Sequence, residues 1–169
     1  MSIPGSFSKQ SKNEHENDKW VNKGISLHSL GRIDEAIKCY DKALKFNPLN
    51  AEAWYNKGSS LHSLGRIDEA TKCYDKALEI NPQHASAWYN KGVSLYSLGH
   101  VDEAIKCYDN ALEINPQHAN SWYHKALAED KLDQKRDAAI SFGKFIELTP
   151  AQNAQSIQAA RQRLHEIER

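Results

Sequence analysis

Eight histidines and three cysteines are the side chains of this sequence best suited to hold a metal ion or to attack a substrate. A metal site on one helix needs two histidines at i,i+4 spacing with a carboxylate between them, and a structural zinc site needs closely spaced Cys or His pairs. Neither pattern occurs: His28 and His62, like His84 and His118, stand 34 residues apart, and so do Cys39, Cys73 and Cys107. Successive cysteines of such a series lie at least one helix-packing distance apart, about 8–10 Å, beyond the roughly 4.4–6.8 Å between Cα atoms that a disulfide spans. The thiols therefore read as small half-buried apolar residues and the histidines as solvated polar ones. "GRIDEA" and "SLGR" hold the glycine of a turn but lack the Gly-rich spacing that cradles phosphate. With no nucleophile–base pair, metal cluster or nucleotide motif, the chain reads as a non-enzyme that takes no cofactor.

The common spacing is itself the signal. Trp20, Trp54, Trp88 and Trp122 keep the 34-residue period, as do Pro48, Pro82, Pro116 and Pro150. "AWYNKG" occurs at 53–58 and again at 87–92, and residues 51–84 laid over 85–118 differ at only seven places. Self-similarity at this period marks a repeat protein whose units bury their apolar faces against one another.

Within a unit, Ala53, Trp54, Gly58, Leu61 and Leu64 recur at spacings of three and four, which predicts a helix A over about 51–64. Gly65 stands where a left-handed residue closes a helix, and Asp68 and Glu69 place negative charge at the start of helix B, expected over about 67–80. Ala70, Tyr74, Ala77 and Leu78 give helix B its buried stripe, and Pro82 ends it. Gly58 costs about 1 kcal/mol relative to Ala inside a helix, so its recurrence as Gly24 and Gly92 implies close approach of a neighbouring helix. Two helices of about 14 residues are marginal alone and need neighbours.

Trp54, Gly58, Leu61, Ala70, Tyr74, Ala77 and Pro82 fall where the tetratricopeptide repeat pattern places its signature residues, and the sequence resembles that family over about residues 17–152. The resemblance implies an all-α fold, a right-handed superhelical solenoid of antiparallel helix-turn-helix hairpins, with units 17–50, 51–84, 85–118 and a drifting fourth at 119–152. In that last unit Ala126, Glu129, Asp133 and Phe145 replace the expected Gly, Leu, Gly and Ala. Residues 153–169, with Ala154, Ile157, Ala160, Leu164 and Ile167 on one stripe, are expected as a capping helix, and residues 1–16 as a flexible tail. Lys23, Lys57, Lys91 and Lys125 depart from the family's usual Leu, and their ammonium groups are expected in water with the stems along the neighbouring aromatic.

The resemblance also implies that the A helices line a concave face. The places expected to point inward include Asn22; Tyr55, Asn56, Ser59 and His62; Tyr89, Asn90, Val93 and Tyr96; and Tyr123 and His124. A column of carboxamides, Asn22, Asn56 and Asn90, offers one donor and acceptor pair per repeat to the main chain of an extended peptide, and the tyrosines beside it offer rigid amphipathic area. Three of the seven differences between the central units, Glu52/Ser86, Ser59/Val93 and His62/Tyr96, fall on this wall. The family's clamp on a terminal carboxylate does not transfer, because its cationic places are occupied here by residues such as Val21, Tyr55, Ser86 and Asn120.

The expected function is a scaffold that binds a protein or peptide segment. Self-association, through an uncapped amino-terminal face carrying Trp20 or by exchange of hairpins, is the alternative. Formal charge is zero with acids and bases interleaved, so no basic field points to nucleic acid or anionic lipid. No run of about 18 apolar residues and no signal-like stretch occurs, and the expected compartment is the cytoplasm.

Overall fold

The computed structural model describes residues 5–167, and every regular element among them is helical. In chain order these are α1 (Gly5–Ser29), α2 (Ile33–Phe46), α3 (Ala51–Ser63), α4 (Ile67–Ile80), α5 (Ala85–Ser97), α6 (Val101–Ile114), α7 (Ala119–Lys131), α8 (Lys135–Leu148) and α9 (Ala154–Ile167), with a 3₁₀ turn at Ala151–Asn153 before the last. They form two compact units, divided after Pro82. In the first unit α1 packs on α2, α3 on α4, and α2 on α3. In the second the same order runs through α5 to α8, and α9 packs on α8.

Each A-to-B turn is closed by the residue type its backbone demands. Gly65 has φ 72°; its N–H donates to His62 O and the Arg66 N–H reaches back to Leu61 O at 3.0 Å. That pair of bonds satisfies the last carbonyls of α3 and needs a left-handed residue, which glycine adopts without a Cβ clash. In the last hairpin the same place is held by Asp133 at φ 58°.

The core of each hairpin is a tyrosine or phenylalanine ring over a small residue. Tyr40, Tyr74, Tyr108 and Phe142 are essentially fully buried. A methyl group on Gly58 would lie 2.7 Å from the Tyr74 ring and 3.2 Å from Ala70 O. The recurring glycine is thus explained mainly by an aromatic side chain of its own partner helix, and only secondarily by helix backbone.

Between hairpins the first unit is tied by polar bonds as well. Pro48 ends α2 by removing a donor, and its carbonyl accepts the Trp54 indole N–H at 2.9 Å. Asn50 caps α3 by accepting the Ala53 N–H at 2.9 Å, its amide donates to Asn17 Oδ1 at 2.6 Å, and the Asn17 amide donates to Ala43 O at 2.9 Å. Asn17 is buried, so this chain of three bonds satisfies a group that would otherwise be costly to bury.

Two expectations change. The segment expected as a tail over 1–16 is helical from Gly5 onward, while residues 1–4 lie outside the described residues. Between Ser6 and Glu16 there is neither Gly nor Pro, so a helix nucleated by the packed turns around Trp20 propagates at little cost per residue. The repeated lysines are not simply solvated. Lys57 Nζ lies 2.6 Å from Asp41 Oδ1 of the preceding hairpin and 5.4 Å from the Trp54 ring centre. Lys125 repeats both contacts, 2.5 Å to Asp109 and 5.6 Å to Trp122. An ion pair and a cation–π contact replace the apolar contact that Leu makes in the family.

Candidate functional site

The A-helix face of the first unit opens into a cleft of about 150 Å³ lined by Ile25, His28 and Ser29 from α1 and by Asn56 and Ser59 from α3, over Tyr40. His28 Nδ1 and Ser60 Oγ are 2.7 Å apart, which fixes one wall of the cleft. Burial pushes the Tyr40 hydroxyl up to about 12, so it stays a neutral hydrogen-bonding group at any physiological pH. The Tyr55 ring is half-buried and leans on Tyr74 with centroids 6.1 Å apart. Asn22 is exposed on α1 and is not among the residues lining the cleft. His62 is partly buried, and its Nε2 is enclosed without a hydrogen-bond partner.

The corresponding face of the second unit is aromatic. The Tyr89 ring meets His118 edge-on at 5.0 Å and His124 at 5.4 Å, and its hydroxyl lies 3.3 Å from His124 Nδ1. The same Nδ1 lies 2.9 Å from Asn120 O; a carbonyl only accepts, so this nitrogen carries the proton. Burial lowers the pKa of both His118 and His124, which keeps them neutral near pH 7. Val93 and Tyr96 pack half-buried beside Leu95 and Tyr108, with Lys131 Nζ 4.8 Å from the Tyr96 ring centre. Asn90 is half-buried on α5.

Tyr123 stacks against Phe145 at 4.9 Å, and with His124 and Asn120 it lines a cleft of about 400 Å³ whose far side is Gln155, Ser156 and Ala159. Those three residues follow the last repeat, so no repeat equivalence could have pointed to them. The structure therefore brings Asn56 and Ser59 together in one unit, and Tyr89, Tyr123 and His124 in the other. Of the histidines read as solvated, His15, His100 and His165 are exposed, whereas others are partly buried and bonded: His84 Nδ1 caps α5 at Ala87 N, and His118 Nδ1 lies 2.7 Å from Ser121 Oγ. A repeat position that starts a helix calls for a side-chain acceptor, and that signal was present in the sequence. Among the described residues no group of three His, Cys, Asp or Glu is placed to hold a metal ion, and no helix is long and apolar enough to cross a membrane.

The geometry agrees with what related sequences and structures show. The chain matches the tetratricopeptide repeat profile over residues 51–84 and 85–118 and a second TPR repeat profile over residues 24–65, which together span more than half of it. No curated protein matches it by sequence. Among solved structures it is similar to a MamA protein, with TM-score 0.77 and 23% identity over 90% of this chain and 87% of that one. It is also similar to MamA from Desulfovibrio magneticus RS-1 (residue 41 to the end), at TM-score 0.75 and 21% identity over 90% and 95% of the two chains. The first TPR of Spaghetti (RPAP3), bound to the HSP90 peptide SRMEEVD, is similar at TM-score 0.70 and 24% identity over 71% of this chain and 95% of that one. Likeness at this identity carries the fold, an all-α helical-repeat solenoid, and the profiles carry the kinship. The period of 34 residues, the buried ring over a small residue in every hairpin and the profile matches have one common explanation: the chain belongs to the tetratricopeptide repeat family.

Proposed function

We propose that this protein is a non-catalytic scaffold that holds an extended segment of a partner protein against the faces of its A helices, through its four repeats at 17–50, 51–84, 85–118 and 119–152. The observation that carries this reading is the cleft between α1 and α3, where Asn56, Ser59, His28 and Ser29 offer donors and acceptors around the exposed aliphatic Ile25. An extended peptide needs such alternating polar and apolar contacts, because its own backbone groups must be satisfied as it leaves water. Asn22, Asn56 and Asn90 supply main-chain contacts, and Tyr55, Tyr89, Tyr96, Tyr123 and His124 supply area with little conformational freedom to lose. Ser59, Val93 and His62 tune each repeat for a different side chain. A solved relative in fold, the first TPR of Spaghetti (RPAP3), is bound to the HSP90 peptide SRMEEVD, whose last residue is Asp. This chain lacks the cations of a terminal-carboxylate clamp, so the binding we propose does not depend on a free carboxyl terminus of the ligand.

The proposed setting is the cytoplasm, where the three buried thiols remain reduced. Capture from a lysate of the source cell, with the intact chain beside the Asn56→Ala, Asn90→Ala variant, tests the groove. A protein retained by the first and lost from the second supports it. Equal retention by both, with retention also unchanged by Tyr55→Ala, Tyr89→Ala, refutes it. Enrichment of the bait alone, with mass rising with concentration in light scattering, moves the reading to self-association.

A further inference from the structure

Part of the drift of the fourth repeat gathers at a second cleft of the second unit, whose lining shares no residue with the clefts described above. Where the first three repeats carry Leu27, Leu61 and Leu95, the fourth carries Glu129; where they carry Cys39, Cys73 and Cys107, it carries Ser141; where they carry Arg32, Arg66 and His100, it carries Gln134. In the first three hairpins that Leu and that Cys lie in one apolar cluster. In the fourth, both apolar places have become polar together. Glu129, Ser141 and Gln134 line a single cleft of about 400 Å³ with Asp109, Lys125, Asp137, Trp122, Ile105 and Ile140.

The charges in this cleft do not balance. Glu129 is 3% exposed, and its Oε2 is enclosed without a hydrogen-bond partner. Its Oε1 lies 3.6 Å from Lys125 Nζ, but that ammonium lies closer to Asp109 Oδ1, at 2.5 Å. In the earlier repeats the acid equivalent to Asp137 is paired with a base of its own turn, Glu35 with Arg32 and Glu69 with Arg66 in bidentate contacts. The change to Gln134 removes that base, and Asp137 has no ion pair among the described residues. The cleft thus holds three carboxylates and one ammonium, which contacts Asp109 and Glu129 but not Asp137. Ser141 and Lys125 donate to the Glu129 carboxylate, but its Oε2 has no partner; a buried carboxylate left only partly satisfied is costly to keep, and the fold does not need it, since leucine fills the same place three times.

We infer that the cleft between α6 and α8, floored by Glu129, is a receptor for one organic cation on an alkyl stem, the arginine or lysine side chain of a partner protein. Trp122, Ile105 and Ile140 give the stem apolar walls, as long cationic side chains require, while Glu129, Asp137 and Asp109 take the charge. A guanidinium suits this best, because its fixed fork of donors reaches more than one carboxylate at once. A metal ion suits it worst, because no three of these acids are gathered closely enough to ligate one. Burial, with Asp137 adding to it, raises the Glu129 pKa; an entering cation reverses that balance and takes up the charge. This surface is separate from the A-helix groove and does not depend on it.

The test is a titration of the full chain, labelled with ¹⁵N, with N-acetyl-arginine amide, N-acetyl-lysine amide, the uncharged isostere N-acetyl-citrulline amide, and magnesium chloride. The arginine probe is expected to move the amide signals of Lys125, Glu129 and Ser141 along a saturating curve, binding about tenfold tighter than citrulline, as one charge-assisted contact provides. Raised salt weakens it. The Glu129→Leu variant, which restores the residue of the other repeats, and Glu129→Gln both lose the tenfold preference while keeping the dispersed spectrum of a folded chain. Shifts that do not saturate, equal response to citrulline, saturation by magnesium alone, or full retention of the preference in Glu129→Leu would each overturn the proposal.

Discussion

Replacing Gly58 by alanine sets two opposing terms against each other. Alanine is the better helix former by about 1 kcal/mol. The added methyl, however, falls 2.7 and 2.9 Å from two carbons of the Tyr74 ring, where undisturbed carbon contacts lie at about 3.5–4.0 Å. The ring is 1% exposed and has no open side to move toward, so the overlap falls in the range of about 1–3 kcal/mol found for overpacked cores. The net expectation is destabilisation by about 1 kcal/mol. Gly143, in the interior of α8, has nothing within 4 Å of its virtual Cβ, and Gly143→Ala should stabilise by about 1 kcal/mol. Urea unfolding followed by circular dichroism therefore separates two identical substitutions by about 2 kcal/mol, several degrees in Tm for a chain of this size. Trimming the ring should remove the penalty, so Gly58→Ala in a Tyr74→Leu background becomes neutral or stabilising, a clear departure from additivity. If Gly58→Ala proves as stabilising as Gly143→Ala, the ring does not occupy that notch and the explanation of the repeated glycine fails.

Further outcomes follow from other contacts. In a double-mutant cycle on Asp41→Ala and Lys57→Met the coupling should be about 0.5–1 kcal/mol, limited because the Asp41 side chain is 46% exposed, and it should shrink in high salt. Glu129→Leu should raise stability at pH 7 by about 1–3 kcal/mol, because it replaces a buried charge with the apolar residue of the other repeats. The pH dependence has a definite sign: the folded chain holds the Glu129 proton more tightly than the unfolded one, so the native state loses stability as pH rises above the ordinary carboxylate value of 4.5 toward the raised folded value. The gap between Glu129→Leu and the parent should therefore widen over that span and stay level above it, as urea midpoints across pH would record. Asp133→Gly should stabilise by about 0.5–1 kcal/mol, since the residue holds φ 58° where glycine has no Cβ penalty.

Local rules carried most of the fold. Gly65 and Pro82 closed their helices where their backbone chemistry requires, and α3 and α4 run over Ala51–Ser63 and Ile67–Ile80, within a residue of the periodicity. Contacts that depend on where the next hairpin lies were not legible. The sequence places the Lys57 stem along a neighbouring aromatic with its ammonium in water, whereas the ammonium pairs with Asp41 of the hairpin before it. For Gly58 the spacing reveals that a neighbouring helix needs room but not that the group taking it is the Tyr74 ring of α4. At the candidate site, Asn56 and Ser59, which repeat position puts on the A-helix wall, line one cleft, while Gln155 and Ser156 of the other cleft lie beyond the periodic region and carry no such mark. Glu129, Ser141 and Gln134 each looked like separate drift, because they are 5–12 residues apart in sequence and meet only when α7 packs on α8.

A main-chain-reading groove on the A helices can be probed by selecting unbiased displayed peptides on the intact chain and measuring the affinity of the winners by fluorescence anisotropy. Such a groove should enrich a peptide family whose affinity falls by about 10–30-fold in the Asn56→Ala, Asn90→Ala variant, as loss of two hydrogen bonds of about 1 kcal/mol each implies, with the variant's helical content unchanged. Peptides that bind the variant as tightly as the parent, or a selection that enriches none, would contradict it.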